Sequence, residues 1–204
     1  MSKKMLLLLL CCSVLLTLGV KVAMSRRAPR QVPYTIVWRV TTTDANGNAE
    51  EDYTETRYVS SNGNWHTIKQ YPDGQTQEGF AEVGRGVFAL SPKHQKMFFL
   101  SGHDVSKADA ESLRQSPNFV RTETILGYTA YVSKQVREGT TLEVYRVPEL
   151  DGAQVKHVFN NGSATVVFEP VSILAGELAA DKLRHKEYPM DNGVYTETHG
   201  EAPQ

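Results

Sequence analysis

Residues 122–152 read TETILGYTAYVSKQVREGTTLEVYRVPELDG, and apolar and polar residues alternate through most of this stretch, with breaks at glycines. Successive side chains of a β-strand point to opposite faces of a sheet, so a period of two predicts strands with one buried face. The predicted strands cover residues 119–126, 128–136 and 142–147. We therefore expect three neighbouring antiparallel strands here, each with a single buried face.

The same alternation starts earlier in the chain. A strand is predicted from Tyr34, with one face formed by Tyr34, Ile36, Trp38 and Val40. The segments DANGNAEED, NGN and PDGQ then follow at short intervals, and their Asn, Gly and Pro residues favour tight turns. Two further strands, GVFAL and KMFFL, flank SPKHQ. This part of the chain is therefore predicted to be an antiparallel meander.

In one segment the spacing of apolar residues changes from that of a strand to that of a helix. DVSKADAESLRQS is predicted to be a short helix with Ser106 as its N-cap and Pro117 as its stop, and one side of it carries Val105, Ala108, Ser112 and Leu113. Beyond the opening stretch, residues 155–159 and 164–168 predict a hairpin closed by NNGS. The segment EPVSILAGELAADKLRHKEYPMD predicts a last short strand and a helical turn.

Together these elements predict a mainly β domain at residues 34–190. Its expected form is a strongly curved antiparallel sheet, either a half-barrel or an open barrel, with one or two short helices. Residues 26–33 are predicted to be a linker, because Pro29 and Pro33 disfavour helix, and residues 191–204 a flexible polar tail. Local pattern does not distinguish a closed sheet from one that leaves a groove.

Residues 1–25 have the pattern of a targeting segment. Two lysines precede a long apolar run, as in a secretory signal peptide cleaved after Ser25, although an uncleaved membrane anchor through residues 5–24 fits the same letters. Either interpretation predicts an exported protein, periplasmic or extracellular. Both cysteines, Cys11 and Cys12, lie inside the run, so the cleaved chain could form no disulfide.

Composition and motifs disfavour several classes of function. The whole chain has 22 basic and 23 acidic residues, and cleavage would remove three lysines and no acid, so nucleic-acid binding is not expected. The six histidines form no HExxH motif, so we expect no metal site and no cofactor. The GHD segment at residues 102–104 is not accompanied by GxSxG, so we do not expect an enzyme.

Aromatic residues on the predicted strands are the strongest functional signal. One short helix is too little to cover a broad curved sheet, which leaves either a filled core or an apolar groove on its concave side. If there is a groove, the candidate ligand-binding residues are Trp38, Phe88, Phe99 and Leu113.

The order of elements also resembles a known group. The segments NGNWHTIKQYPDG, FALSPKHQKMFFL, ETILGYTAYVSKQV, LEVYRVPELDGAQVKHV and ATVVFEPVSILAGE are similar to those of exported bacterial proteins that look like the lipoprotein-carrier (LolA-like) half-barrel superfamily. The resemblance covers most of residues 34–191. It implies a curved antiparallel sheet that holds acyl chains under a helical lid.

Two functions follow as hypotheses. The first is an extracytoplasmic binding module that takes up a lipid or another hydrophobic ligand in a groove of the sheet. The second is an interaction or sensor protein of the cell envelope, with a filled core and exposed edge strands that pair with a protein partner.

Overall fold

The computed structural model of the protein describes residues 31–91, 95–103 and 105–191. The predicted leader at residues 1–25, most of the predicted linker and nearly all of the predicted tail lie outside these ranges. Within the described residues, no helix has both the length and the apolar character needed to cross a membrane.

Most of the described chain forms β-strands, as the sequence predicts. The twelve strands are β1 (Tyr34–Asp44), β2 (Ala49–Val59), β3 (Trp65–Gln70), β4 (Thr76–Glu82), β5 (Gly86–Ser91), β6 (Lys96–Ser101), β7 (Phe119–Ile125), β8 (Tyr128–Arg137), β9 (Thr140–Val147), β10 (Ala153–Asn160), β11 (Ala164–Ala175) and β12 (Met190–Asp191). The single α-helix among these residues is α1 (Ala110–Gln115), and two 3-10 helices lie at Pro148–Leu150 and Ala180–Leu183.

All twelve strands belong to one sheet in the order β12-β6-β5-β4-β3-β2-β1-β11-β10-β9-β8-β7. The sheet is two meanders joined at the middle, where β1 pairs antiparallel with β11. Strands β7 and β12 are its two ends, so the described strands form an open sheet. The mainly β class and the antiparallel meander are confirmed, with β12 added as a two-residue strand that runs parallel to β6.

The main core is built on one face of β1. The four residues that alternate from Tyr34 to Val40 are all buried, as predicted. They pack with residues of the second meander, chiefly Ile125, Val132, Tyr145, Val147 and Val155. The indole nitrogen of Trp38 donates a hydrogen bond of 2.5 Å to the carbonyl of Val155, so the central strand is tied to β10 by a polar contact as well.

Strand β11 runs further than the hairpin that the sequence predicts. It continues through Pro170 to Ala175, although proline donates no hydrogen bond to a sheet. Strand β10 pairs only with residues 165–168 of β11, and the β1 pairing shifts register between Val37 and Trp38. Proline is tolerated here because one side of β11 has no strand partner beyond Phe168 and the other is irregular.

A crossover segment, described at residues 103 and 105–109, connects the two meanders. Ala108 donates its backbone N–H to the carbonyl of Asp151, and a side chain on Gly152 would meet the Ala108 Cβ at 2.6 Å. Gly63, in the turn after β2, is covered in the same way by Val105. The predicted N-cap at Ser106 is wrong: the Ala108 N–H that it would cap is donated to Asp151, and Asp109 caps α1 by accepting the N–H of Ser112 at 2.8 Å.

A second apolar cluster lies on the other face of β4–β6. It consists of Phe80, Phe88, Leu90 and Met97, with Tyr188 packed against it. The chain after β11 returns across this face, where the His185 ring lies 3.5 Å from that of Phe80. Met97 then donates its N–H to the carbonyl of Pro189, and β12 begins. The C-terminal segment thus covers this cluster and the edge of β6.

Candidate binding cavity

A cavity of about 520 Å³ lies against strands β2–β5 and extends to β6, β10 and β11. Its apolar lining includes Tyr53, Trp65, Val87, Ala89, Leu100 and Phe168. Its polar lining includes Glu55, Arg57, Thr67, Lys69, Gln77 and His157. A volume of this size, with a mainly apolar wall and a few polar groups, is typical of a site for a small organic ligand.

The strand register explains why this part of the sheet is hollow. Arg57, Thr67, Gly79 and Ala89 lie opposite one another across β2, β3, β4 and β5, and directly opposed residues share a face. Along this row the side chain is long at Arg57, is absent at Gly79 and is a single methyl group at Ala89. Because there is too little side-chain volume to fill the space above β4 and β5, a cavity forms there.

Arg57 is held in place from three sides. Its guanidinium carbon lies 5.1 Å from the ring centre of Trp38 and 5.0 Å from that of Trp65, which are cation–π distances. Its Nη2 donates to Glu55 Oε1 at 3.0 Å, and Glu55 is buried. The Nε of Arg57 is also buried but has no hydrogen-bond partner among the described residues. A cation held on three sides therefore stands in the cavity wall.

His157 forms a neutral polar part of the same wall. Its ring stacks on Phe168 at 3.7 Å, and its Nδ1 lies 2.7 Å from the Gln154 Nε2. Burial, assisted by the charge of Arg57, lowers the pKa of His157 to about 4. The imidazole is therefore uncharged at neutral pH, so Nδ1 accepts the proton of the amide.

A smaller cavity of about 160 Å³ adjoins the first. Arg57 and Trp65 line both. The crossover segment covers the smaller one, with His103 Nε2 2.8 Å from the carbonyl of Gly63. Its wall is more polar and includes Tyr34, Arg57, His103, Arg146, Asp151 and Gln154. Burial raises the pKa of Tyr34, and the nearby charges of Arg57 and Arg146 oppose this rise.

The structure distributes the four predicted site residues over different places. Phe88 borders the larger cavity, while its ring stacks on Phe80 at 4.9 Å in the second cluster. Phe99 is 55% exposed and lies edge-on to Phe88 at 5.7 Å. Trp38 is buried behind Arg57, and Leu113 is half-buried on α1. Ligand binding by these four residues stays a prediction.

Several lining residues were not predicted. Three of them are Arg57, Trp65 and His157. Each lies within a predicted strand, and nothing in the local sequence pattern distinguishes it from a surface residue. The useful signal is the pairing of their strands, because it aligns Arg57 with Thr67 and His157 with Phe168. Within residues 31–91, 95–103 and 105–191, no group of three or more potential metal ligands occurs.

Comparison with known proteins gives similarity at low sequence identity. No family model and no curated protein matches the chain. A MucA/MucB complex from Pseudomonas aeruginosa is similar with a TM-score of 0.47 and 20% identity over 78% of this chain and 58% of that one. The chain thus spans less than two thirds of the MucB chain it matches.

Two smaller proteins are similar over nearly their whole length. A LolA superfamily protein from Nitrosomonas europaea has a TM-score of 0.42 and 9% identity over 78% of this chain and 93% of that one. A β-barrel-like protein of a domain of unknown function from Brucella abortus has a TM-score of 0.39 and 8% identity over 74% and 100%. The predicted resemblance is confirmed to the extent that a LolA superfamily protein is among the similar structures.

Proposed function

We propose that this protein is an extracytoplasmic binding module that takes up a lipid or another hydrophobic ligand in the larger cavity. The observation that carries the proposal is the cavity of about 520 Å³ with aromatic and aliphatic side chains in its wall. Removal of apolar surface from water contributes about 25 cal/mol per Å², so an acyl segment in this space would be held without any covalent step. The N-terminal targeting pattern supports an extracytoplasmic location.

Access to the cavity is provided by its exposed wall. Leu100 lines the cavity and is itself 49% exposed, so it lies where the cavity meets solvent. Phe99, the preceding residue of β6, is also exposed, but it packs against Phe88 and lies outside the cavity wall. A hydrophobic molecule that enters beside β6 would replace water at Leu100 first, and would then reach Ala89 and Trp65 deeper in the wall.

The test is a pair of leucine substitutions with the same chemistry. Leu100→Asp places a carboxylate in the cavity mouth, whereas Leu174→Asp places one on β11 at a position that is 68% exposed and outside the cavity wall. Uptake of a fluorescent fatty-acid probe is measured by the quenching of tryptophan emission, since Trp65 lines the cavity. We expect Leu100→Asp to weaken uptake at least tenfold and Leu174→Asp to leave it unchanged.

Equal uptake by the two variants, or no uptake by the unmodified chain, would contradict the proposal. Thermal unfolding of both variants provides the control for folding, because both sites are already solvent-exposed and the two substitutions should change the unfolding midpoint by similar small amounts.

An interaction protein of the cell envelope is the second candidate, and the edge of the sheet favours it. Strand β7 is one end of the described sheet, and Val120 on it is 48% exposed. An open edge of this kind can pair with a strand of a protein partner. Replacing Val120 with proline would block such pairing but leave the cavity intact, so loss of partner binding with normal probe uptake would support this second function.

A further inference from the structure

We propose that the ligand is an amphiphile with one apolar tail and an anionic head group, and that the head group binds in the smaller cavity at Arg57 and Arg146. This inference rests on the proposed function and assigns the ligand class to it. The tail would occupy the larger cavity. The two cavities share Arg57 and Trp65 in their walls and so lie next to each other, and the proposal places one molecule across both.

The chemistry of the two walls is different. The larger cavity is bounded by Tyr53, Val87, Ala89, Leu100 and Phe168, which offer apolar contact. The smaller cavity has about a third of that volume, and two arginines, a histidine and a tyrosine contribute to its wall. A molecule that matches both walls has an apolar segment attached to a compact polar group, which is the definition of an amphiphile.

The charges in the smaller cavity favour an anion over a cation or a neutral group. Glu55 already pairs with Arg57, and Asp151 pairs with Lys107 at 3.2 Å and accepts the N–H of Val32 at 2.7 Å. Both carboxylates therefore already have a charged partner.

Arg146, in contrast, has no carboxylate partner among the described residues. Its one hydrogen bond there is from Nη1 to the carbonyl of Gly152 at 3.2 Å. Arg57 also lines this cavity and places a second guanidinium in its wall. A guanidinium offers five donors, and carboxylate and phosphate oxygens are the acceptors that match them best. One anionic head group would supply the carboxylate or phosphate acceptor that Arg146 lacks and would lie beside the guanidinium of Arg57.

The experiment compares three ligands that have the same twelve-carbon chain: dodecanoate and dodecyl phosphate, each below its critical micelle concentration, and dodecanol below its solubility limit in water. Affinities for the purified chain are measured by isothermal titration calorimetry. We expect both anions to bind about tenfold or more tightly than dodecanol, which corresponds to one good charged hydrogen bond. A preference between the two anions distinguishes a carboxylate head group from a phosphate.

Arg146→Gln is the decisive variant, since it removes the charge and keeps a polar side chain. It should reduce the preference for anions over dodecanol to less than threefold, and Arg146→Lys should restore part of it. Arg137→Gln is the matched control, because this arginine lies at the exposed end of β8 and outside both cavity walls. It should leave the preference unchanged, and unfolding midpoints verify that all three variants are folded.

Three results would overturn the inference. Equal affinity of the unmodified chain for dodecanol and both anions would show an apolar site without head-group recognition, and the proposed function would then survive. A preference that persists in Arg146→Gln but disappears in Lys69→Gln would place the head group in the larger cavity instead. Failure of all three ligands to bind would remove the proposed function together with the inference.

Discussion

The two halves of the sheet have the same alternating sequence pattern but different interiors. In the second meander, strands β7–β9 direct Ile125, Ala130, Val132, Tyr145 and Val147 into the main core, and all five are buried. In the first, the cross-strand row that runs from Arg57 through Thr67 and Gly79 to Ala89 is polar or very small and leaves space for the cavity. Alternation of apolar and polar residues therefore predicts a sheet with two distinct faces. The side-chain volume along each cross-strand row decides whether the space above that row is filled.

The largest expected difference between the two halves is in the loss of stability when a leucine is truncated in each. Leu150 is 2% exposed in the main core, and Leu100 is 49% exposed at the larger cavity. Leu150→Ala should lower the free energy of unfolding by about 2 to 5 kcal/mol, because it removes a buried side chain from the main core. Leu100→Ala should cost less than about 1 kcal/mol, because its site is already open to solvent. Urea unfolding at pH 7 measures both, and equal losses would contradict the division into a filled and a hollow half.

A second prediction concerns the contact between the crossover and the filled half. Gly152 has a φ of +82°, and an added Cβ would meet that of Ala108 at 2.6 Å, so Gly152→Ala should cost roughly 2 to 4 kcal/mol from backbone strain and overpacking together. Gly139 has a φ of +80° with open space around it. Gly139→Ala isolates the backbone term and should cost roughly 1 to 2 kcal/mol. Thermal or urea unfolding gives the difference, and no difference would mean that the crossover is not firmly seated.

The smallest expected effect is a pH dependence that arises at the border of the two halves. The folded-state pKa of His157 is lowered to about 4, so in the unfolded chain this histidine takes up a proton at higher pH than in the folded protein. Its contribution to stability is complete above about pH 6.5 and is lost as the pH falls toward 4. His157→Phe keeps a ring against Phe168 without a titrating group.

We therefore expect the unmodified protein to lose roughly 1 to 2 kcal/mol more than His157→Phe between pH 7 and pH 4.5, a range reduced for the partial solvent exposure of the ring. Urea unfolding at the two pH values measures it. The carboxylates common to both proteins cancel in the comparison. Parallel pH profiles would show that His157 is as well solvated in the folded protein as in the unfolded chain.

Much of the fold could be predicted from the sequence because its signals are local. The alternation from Tyr34 to Val40, the turn at PDGQ and the glycine at 127 each act within a few residues, and the strands lie where these signals predict them. The exceptions are residues whose environment is made by distant parts of the chain. Ser106 could not serve as the N-cap because the backbone N–H of Ala108 is donated to the distant carbonyl of Asp151, and β12 has only two residues and no pattern of its own.

The candidate site was less predictable for the same reason. An apolar groove was one of two outcomes expected for a curved sheet, and Phe88 does border the cavity. Arg57, however, becomes notable only when Trp38 and Trp65 are brought to its two sides across neighbouring strands. Gly79 matters only because Thr67 and Ala89 lie beside it. Register, which depends on long-range pairing, determines these neighbours.

The pairing of β1 with β11 also has a consequence for folding kinetics. Tyr34 lies opposite Ala175, so the central hydrogen bonds of the sheet join the first and the last long strands of the domain. Each meander can form from strands that are neighbours in the chain. The pairing of β1 with β11, however, joins strands from the two ends of the domain, and such non-local pairing slows folding. We therefore expect that β1 cannot pair with β11 until synthesis of β11 is complete. This delay prolongs the period in which the chain can be held unfolded.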